Sequence, residues 1–271
     1  MKSYTPRAEH THTYGGWTVA TAATCTQPGS ETRTCSLCGG TETRAIAAKG
    51  HSWNSAATVD IPAAYSHPGS QSIHCKNCDA TKNASTIPAK PNPFTDVAPG
   101  EHSYYYTPVL WALDEHVTTG KTATIFAPFE NCNRSQVVTF LWRAAGCPEP
   151  TTKTSPFTDV QDPNAFYYKA VLWAAEKGIT NGMEPTLFAP NLTVTRGQFV
   201  TFLWRHAGKP AHGTENPFWD IVPGPHSFYY DAVLWASEQG VTNGMGEGAF
   251  SPNNYCLRGQ TVTFLHRYYT H

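Results

Sequence analysis

Three copies of one pattern fill the C-terminal two-thirds of this 271-residue chain, and their spacing limits the folds open to it. Each copy opens on Phe-x-Asp-Val/Ile: Phe94, Asp96 and Val97; Phe157, Asp159 and Val160; Phe218, Asp220 and Ile221. An aromatic-rich segment with Val-Leu-Trp-Ala follows, placing Trp111, Trp173 and Trp235 at intervals of 62 residues. A Phe-x-Pro step comes next (Phe126/Pro128, Phe188/Pro190, Phe250/Pro252), then Arg-x-Gln opening a second helix (Arg134/Gln136, Arg196/Gln198, Arg258/Gln260). A period of this length marks supersecondary units that share their cores, so the chain reads as an array.

In the middle copy, the segment from Phe166 to Lys177 puts Tyr167, Ala170, Val171 and Ala174 on one helical face. Gly178 is placed to end that helix in the left-handed conformation, as is Gly240 in the third copy. The first copy has His116 there, which must take a positive φ at a cost or end its helix differently. The second helix opens Thr195-Arg196-Gly197-Gln198, a capping box in which Thr195 caps and Gln198 reaches back. Arg196 is harder to explain locally, because a cation opposes the dipole at a helix N-terminus. Unpaired N–H groups there attract anions, and an Arg fork adds a bidentate partner. An anion-binding Arg, repeated as Arg134 and Arg258, is one reading; an internal ion pair with Asp96, Asp159 or Asp220 is the other.

Residues 1–90 differ in texture: rich in Thr, Ala, Gly and His, with five of the eight cysteines. Cys35-Ser-Leu-Cys38 recurs as Cys75-Lys-Asn-Cys78, and Pro28-Gly29-Ser30 as Pro68-Gly69-Ser70, both 40 residues on. Short apolar–polar alternation predicts small hairpins and turns. Two thiolates at Cys-x-x-Cys spacing can share a tetrahedral zinc ion. The first unit offers Cys25, Cys35 and Cys38, with His12 or His51 as fourth ligand; the set Cys25, Cys35, Cys38 and His51 is the candidate structural zinc site. In the second unit Tyr65 stands where Cys25 stood, leaving Cys75 and Cys78 with His51, His67 or His74 as an incomplete set. A disulfide in an oxidising setting, or a knuckle without metal, is the alternative. Cys132, Cys147 and Cys256 read as ordinary free thiols.

A net charge of −1 gives neither the basic footprint of a nucleic-acid binder nor a polybasic membrane patch. No apolar run reaches the ~20 residues that span a bilayer. The start, Met1 to Pro6, has no signal-peptide core, so an extracellular reading expects this chain to be a segment of something longer. Aromatics make up 13% of residues. Most Trp and Phe are assigned to the core, and exposed Tyr to grooves where a flat apolar ring suits the C–H face of a sugar.

With those motifs in hand, the stretch from Phe94 to Tyr269 resembles three S-layer homology (SLH) domains of bacterial surface proteins. The carriers are the Phe-x-Asp-Val start, the Val-Leu-Trp-Ala helix, the turn Gly178-Ile-Thr-Asn-Gly182, the Phe-x-Pro step and the Thr-Arg-Gly-Gln helix start. The resemblance implies a pseudo-threefold unit binding a secondary cell-wall polysaccharide, one that includes pyruvate ketals, in grooves between repeats. It implies contacts from Arg134, Arg196 and Arg258, from Asp96, Asp159 and Asp220, and from Thr118/Gly120, Thr180/Gly182 and Thr242/Gly244. The first copy departs at His116, Thr119 and Lys121, and the third at Leu257 and Trp219, so the middle groove ranks first. The N-terminal units resemble short Cys-x-x-Cys, Gly-His-x-Trp repeats of large surface proteins.

The expected fold class is therefore mainly α: three helix-loop-helix repeats forming a pseudo-threefold six-helix unit after a small loop/β region. The expected divisions are 1–50, 51–90, 93–150, 151–212 and 213–271. The expected protein is a monomeric, extracellular, non-enzymatic wall anchor that needs no cofactor to bind. A wall-glycan hydrolase would need an acid–base pair across a cleft, and no acidic pair stands outside the turn Asp and helix-face Glu. A metal-stapled protein-interaction module is the other class.

Overall fold

A computed structural model describes residues 10–100, 103–225 and 227–270. The chain forms two compact units: one from residues up to Ala63 together with Pro68–Pro88, the other from Ala64–His67 together with residues from Ala89 onward.

The first unit holds two three-stranded antiparallel sheets, β1 (Thr18–Thr21), β2 (Gly29–Thr34) and β3 (Thr41–Ile46), then β4 (Thr58–Ile61), β5 (Gly69–His74) and β6 (Thr81–Ile87), each ordered as in the sequence. The sheets share one irregularity, a register slip between Val19 and Thr21 and again between Val59 and Ile61, but β5 and β6 slip once more between Gln71 and Ile73 where β2 and β3 run in register. The repeated glycine explains itself at this point. A Cβ on Gly29 would lie 2.4 Å from the Thr21 carbonyl oxygen, and one on Gly69 the same distance from that of Ile61. β1 and β4 are exposed throughout. These sheets overturn the mainly α expectation: among the described residues there are six strands beside six helices. The small hairpins expected in this region are present, but their Thr-rich, solvent-facing strands bury too little apolar surface for the sequence to show two complete sheets.

The second unit contains α1 (Tyr106–Asp114), α2 (Arg134–Ala144), α3 (Tyr168–Glu176), α4 (Arg196–His206), α5 (Tyr230–Glu238) and α6 (Arg258–Thr270). Helices of nine to thirteen residues are marginal alone, so packing must hold them. The packing is cyclic: α2 lies on α3, α4 on α5, and α6 returns to α1. Three extended segments meet where the repeats converge. Val194 N–H donates to the Cys132 carbonyl (2.9 Å), Cys256 N–H to Val194 (2.8 Å), and Cys132 N–H to Cys256 (2.9 Å). All three side chains are fully buried. Burial pushes the Cys132 thiol up to about 11 and that of Cys256 up to about 12, which keeps both protonated and unreactive.

Thr195 and Gln198 form the reciprocal capping box, and Asn133 and Gln136 form its counterpart in α2. Gly178 and Gly240 take φ of 64° and 67°, and His116 accepts the same conformation at 56°, the strained option. Among the described residues no helix is long and apolar enough to cross a membrane.

Candidate functional site

The opening Asp of each repeat shapes the Phe-x-Pro step. Asp159 accepts hydrogen bonds from the N–H groups of Phe188 (2.9 Å) and Ala189 (2.7 Å). Asp96 does the same for Phe126 and Ala127, and Asp220 for Phe250 and Ser251. Ala127, Ala189 and Ser251 sit at φ of 61°, 58° and 61°, a left-handed conformation that side chains disfavour. Two charge-assisted bonds per carboxylate hold that strained turn.

The turn in turn aims a carbonyl at the Arg of the repeat before it in the ring. Arg134 Nε donates to Phe188 O (2.7 Å), Arg196 Nε to Phe250 O (2.9 Å) and Arg258 Nε to Phe126 O (2.9 Å). Each guanidinium lies between two rings: Phe188 and Phe202 for Arg134, Phe250 and Phe264 for Arg196, Phe126 and Phe140 for Arg258. The Arg residues are 2–3% exposed. Burial lowers the Arg134 pKa to about 10 against the pull of Asp159, and burial also lowers the pKa values of Arg196 and Arg258. Among the described residues none of them forms a direct ion pair with Asp96, Asp159 or Asp220.

The helix N-termini are not open to anions. The Arg196 and Gly197 N–H groups donate to Asn254 O and Pro252 O, and that of Gln198 to its capping Thr195. In α2 they reach Leu192 O and Pro190 O, and in α6 Glu130 O and Pro128 O. What remains for a ligand is the guanidinium itself. Arg134 Nη2 touches Thr180 Oγ1 at 3.3 Å. Arg196 Nη2 is buried and has no hydrogen-bond partner among the described residues.

Thr118, Thr180 and Thr242 are buried, and each hydroxyl oxygen accepts the N–H of the glycine two residues on (3.0, 3.2 and 3.1 Å). Gly120, Gly182 and Gly244 take φ of 81–86°, and a Cβ on Gly182 would lie 2.4 Å from Glu184 O and 2.8 Å from the Phe157 ring. These turns form one wall of the clefts. Arg196 lies at a cleft of about 430 Å³ lined by Tyr104, Phe129, Thr242, Asn243, Met245 and Gln260. Arg134 lies at a smaller one of about 200 Å³ with Thr180, Gly182, Met183, Gln198, Arg205 and Phe228. In the first copy of the turn Lys121, following Gly120, is paired with Glu130 (2.7 Å).

Several lining residues escaped the sequence reading. Arg205 and Arg267 edge the clefts and donate to Ile179 O and Val241 O. Their recurrence with Arg143 at intervals of 62 was the available signal. Phe129, 66% exposed, has Asn191 and Asn253 as counterparts, so no periodicity announces it. Trp173 and Trp235 are buried as expected, while Phe129 and Phe228 join Tyr104 at the clefts.

The four expected metal ligands are divided between two clusters. Cys35 and Cys38 meet His10 and His12; Cys25 and His51 meet Cys75 and Cys78. Cys25 lies beside Cys75 (Sγ–Sγ 3.8 Å), and the second unit recovers from the first the thiol it lost to Tyr65.

The S-layer homology domain matches this chain at residues 93–138, 156–200 and 218–262, half of its length. An endoglucanase of Bacillus sp. (strain KSM-635) is 30% identical over 192 residues, 68% of this chain and 19% of that protein. A cell surface protein of Thermoanaerobacter kivui is 34% identical over 119 residues, 42% of this chain and 15% of its own length. Cell surface glycoprotein 1 of Acetivibrio thermocellus is 25% identical over 154 residues, 52% of this chain and 6% of that protein. The chain thus spans about a fifth or less of these curated relatives. With three matches in register with three copies of one Asp–turn–Arg construction, the chain belongs to the S-layer homology domain family.

Proposed function

We propose that this chain is the non-covalent anchor of a cell-surface protein, holding it to a secondary cell-wall polysaccharide whose carboxylates, such as pyruvate ketals, enter the clefts between repeats. One observation carries the reading: the Arg196 guanidinium keeps a buried donor without a protein partner at a cleft walled by Tyr104, Phe129, Thr242 and Asn243. A buried donor left unmatched costs about 1–3 kcal/mol, and an anionic oxygen would satisfy it with a charge-assisted bond. Hydroxyl and amide groups on the same wall suit sugar hydroxyls, and the rings suit sugar faces. The Arg134 cleft offers a second contact, so one polymer engaging both would gain avidity beyond either site.

No bond is made or broken in this reading. Two of the relatives are named as cell-surface proteins, which supports a location at the cell surface. The likeness to an endoglucanase covers 19% of that protein, which fits an attachment module shared by proteins of different activity. Titration of the full chain with released wall polysaccharide, before and after mild-acid removal of its ketals, tests the reading. Affinity should fall at least tenfold on removal; equal affinity for both would defeat the carboxylate assignment.

A further inference from the structure

We propose that the N-terminal unit binds two structural zinc ions, and that the second is shared between modules: Cys25 of the first completes the set His51, Cys75 and Cys78 of the second. The geometry of both clusters is that of a tetrahedral ion. Within each, the four ligand atoms lie within 4.8 Å of one another. Zn–S near 2.3 Å and Zn–N near 2.0 Å put sulfur pairs about 3.8 Å apart and sulfur–nitrogen pairs about 3.5 Å apart. Cys25 and Cys75 sulfurs are separated by 3.8 Å, and Cys78 Sγ stands 3.3 Å from His51 Nδ1. In the first cluster Cys35 Sγ is 3.9 Å from His10 Nε2, and Cys38 Sγ 3.4 Å from His12 Nδ1. A disulfide would bring two sulfurs to about 2.05 Å and leave the imidazoles without a role.

The shared ligand is built into the backbone. The N–H groups of Lys49 and Gly50 donate to the carbonyls of Thr24 and Cys25, and Gly50 turns the chain at φ 72°. That fold-back delivers His51 to the side of Cys25. The knuckle amides support the thiolates: Gly40 N–H lies 3.4 Å from Cys38 Sγ and Asn77 N–H 3.5 Å from Cys75 Sγ. Outer hydrogen bonds of this kind orient metal ligands.

The unit also has need of a staple. Its buried hydrophobic residues among those described are Ala23, Cys25, Cys35 and Cys75, so three of the four are proposed ligands. So small an apolar core cannot order two modules, and a metal is the usual substitute. Four protein ligands close each site, which makes the role structural. Tyr65, at the position of Cys25, offers no thiolate, so the sharing of ligands from module to module stops at the second module.

The test uses the full chain, stripped with EDTA under reductant and titrated with Co²⁺ and then Zn²⁺. Wild type should take up two ions per chain, with the thiolate-to-cobalt charge-transfer bands of Cys₃His and Cys₂His₂ sites. Cys25→Ser should bind one ion tightly, lose the more intense band, and lose amide protection in β5 and β6 while β2 and β3 stay protected. Cys25→His should restore the second ion with an altered spectrum. Two tightly bound ions and an unchanged spectrum in Cys25→Ser would overturn the shared site. A Cys75–Cys78 disulfide by mass spectrometry of protein purified without reductant would overturn the shared second site, and no tight metal in wild type would overturn the zinc proposal altogether.

Discussion

Arg258 donates its Nε proton to the carbonyl of Phe126, 132 residues earlier, at 2.9 Å. This bond returns the third repeat to the first, and its equivalents from Arg134 and Arg196 complete the circuit. Each Arg therefore serves the fold through its Nε, and Arg134 and Arg196 also lie at clefts.

Closure of this ring should make the three repeats unfold together. Arg258→Ala removes a charged hydrogen bond and opens a cavity, with an expected loss of about 2–4 kcal/mol. Denaturant unfolding should stay a single transition, and hydrogen exchange should rise at Phe126 and Ala127 as well as in α6. Exchange confined to the third repeat would contradict a cooperative ring.

Backbone strain at Ala189 predicts a substitution that runs against habit. Asp159→Asn leaves one of two N–H groups without its acceptor, at about 1–3 kcal/mol. Ala189→Gly, normally a destabilising change, should be neutral to about 1 kcal/mol stabilising, because it relieves a left-handed Cβ. Thermal melts of both variants decide the signs.

Burial among Trp173, Tyr268 and Tyr269 holds the His206 imidazole below its usual pKa. The unfolded chain thus takes up this proton more readily than the folded one. Stability is full above about pH 6.5, declines as pH falls from there to the lowered folded value, and then levels off. His206→Gln should flatten that part of the stability profile between pH 7 and 5; an unchanged slope would assign it elsewhere.

The repeats were legible because each landmark is local: the Asp, the Phe-Pro step and the capped helix start lie within one period. What Arg196 does with each nitrogen was not legible. Its partner Phe250 lies 54 residues away, and the helix amides that looked free are taken by Asn254 and Pro252 of the next repeat. Cys25 misled for the same physical reason. Sequence proximity favours Cys35 and Cys38, whereas the fold-back at Gly50 brings it to Cys75, 50 residues on. The N-terminal strands were legible as small hairpins, whereas their organisation into two full three-stranded sheets was not, because β1 and β4 are exposed throughout and leave no buried face to read.

Asn243 is exposed on the turn at the Arg196 cleft. Asn243→Asp adds a negative charge with almost no change in shape. It should weaken binding of a carboxylated glycan about tenfold at low salt, less as salt rises, and leave the melting temperature within a degree or two. Tighter or unchanged binding would mean that the ligand carries no anion at this cleft.

The most direct measurement is co-sedimentation of the full chain with purified wall sacculi, before and after acid extraction of the wall polysaccharide, for wild type, Asn243→Asp and Arg196→Ala. The account predicts that wild type pellets with intact sacculi, stays soluble after extraction, and loses affinity in both variants. Equal pelleting with extracted sacculi, or variants that bind as well as wild type, would contradict it.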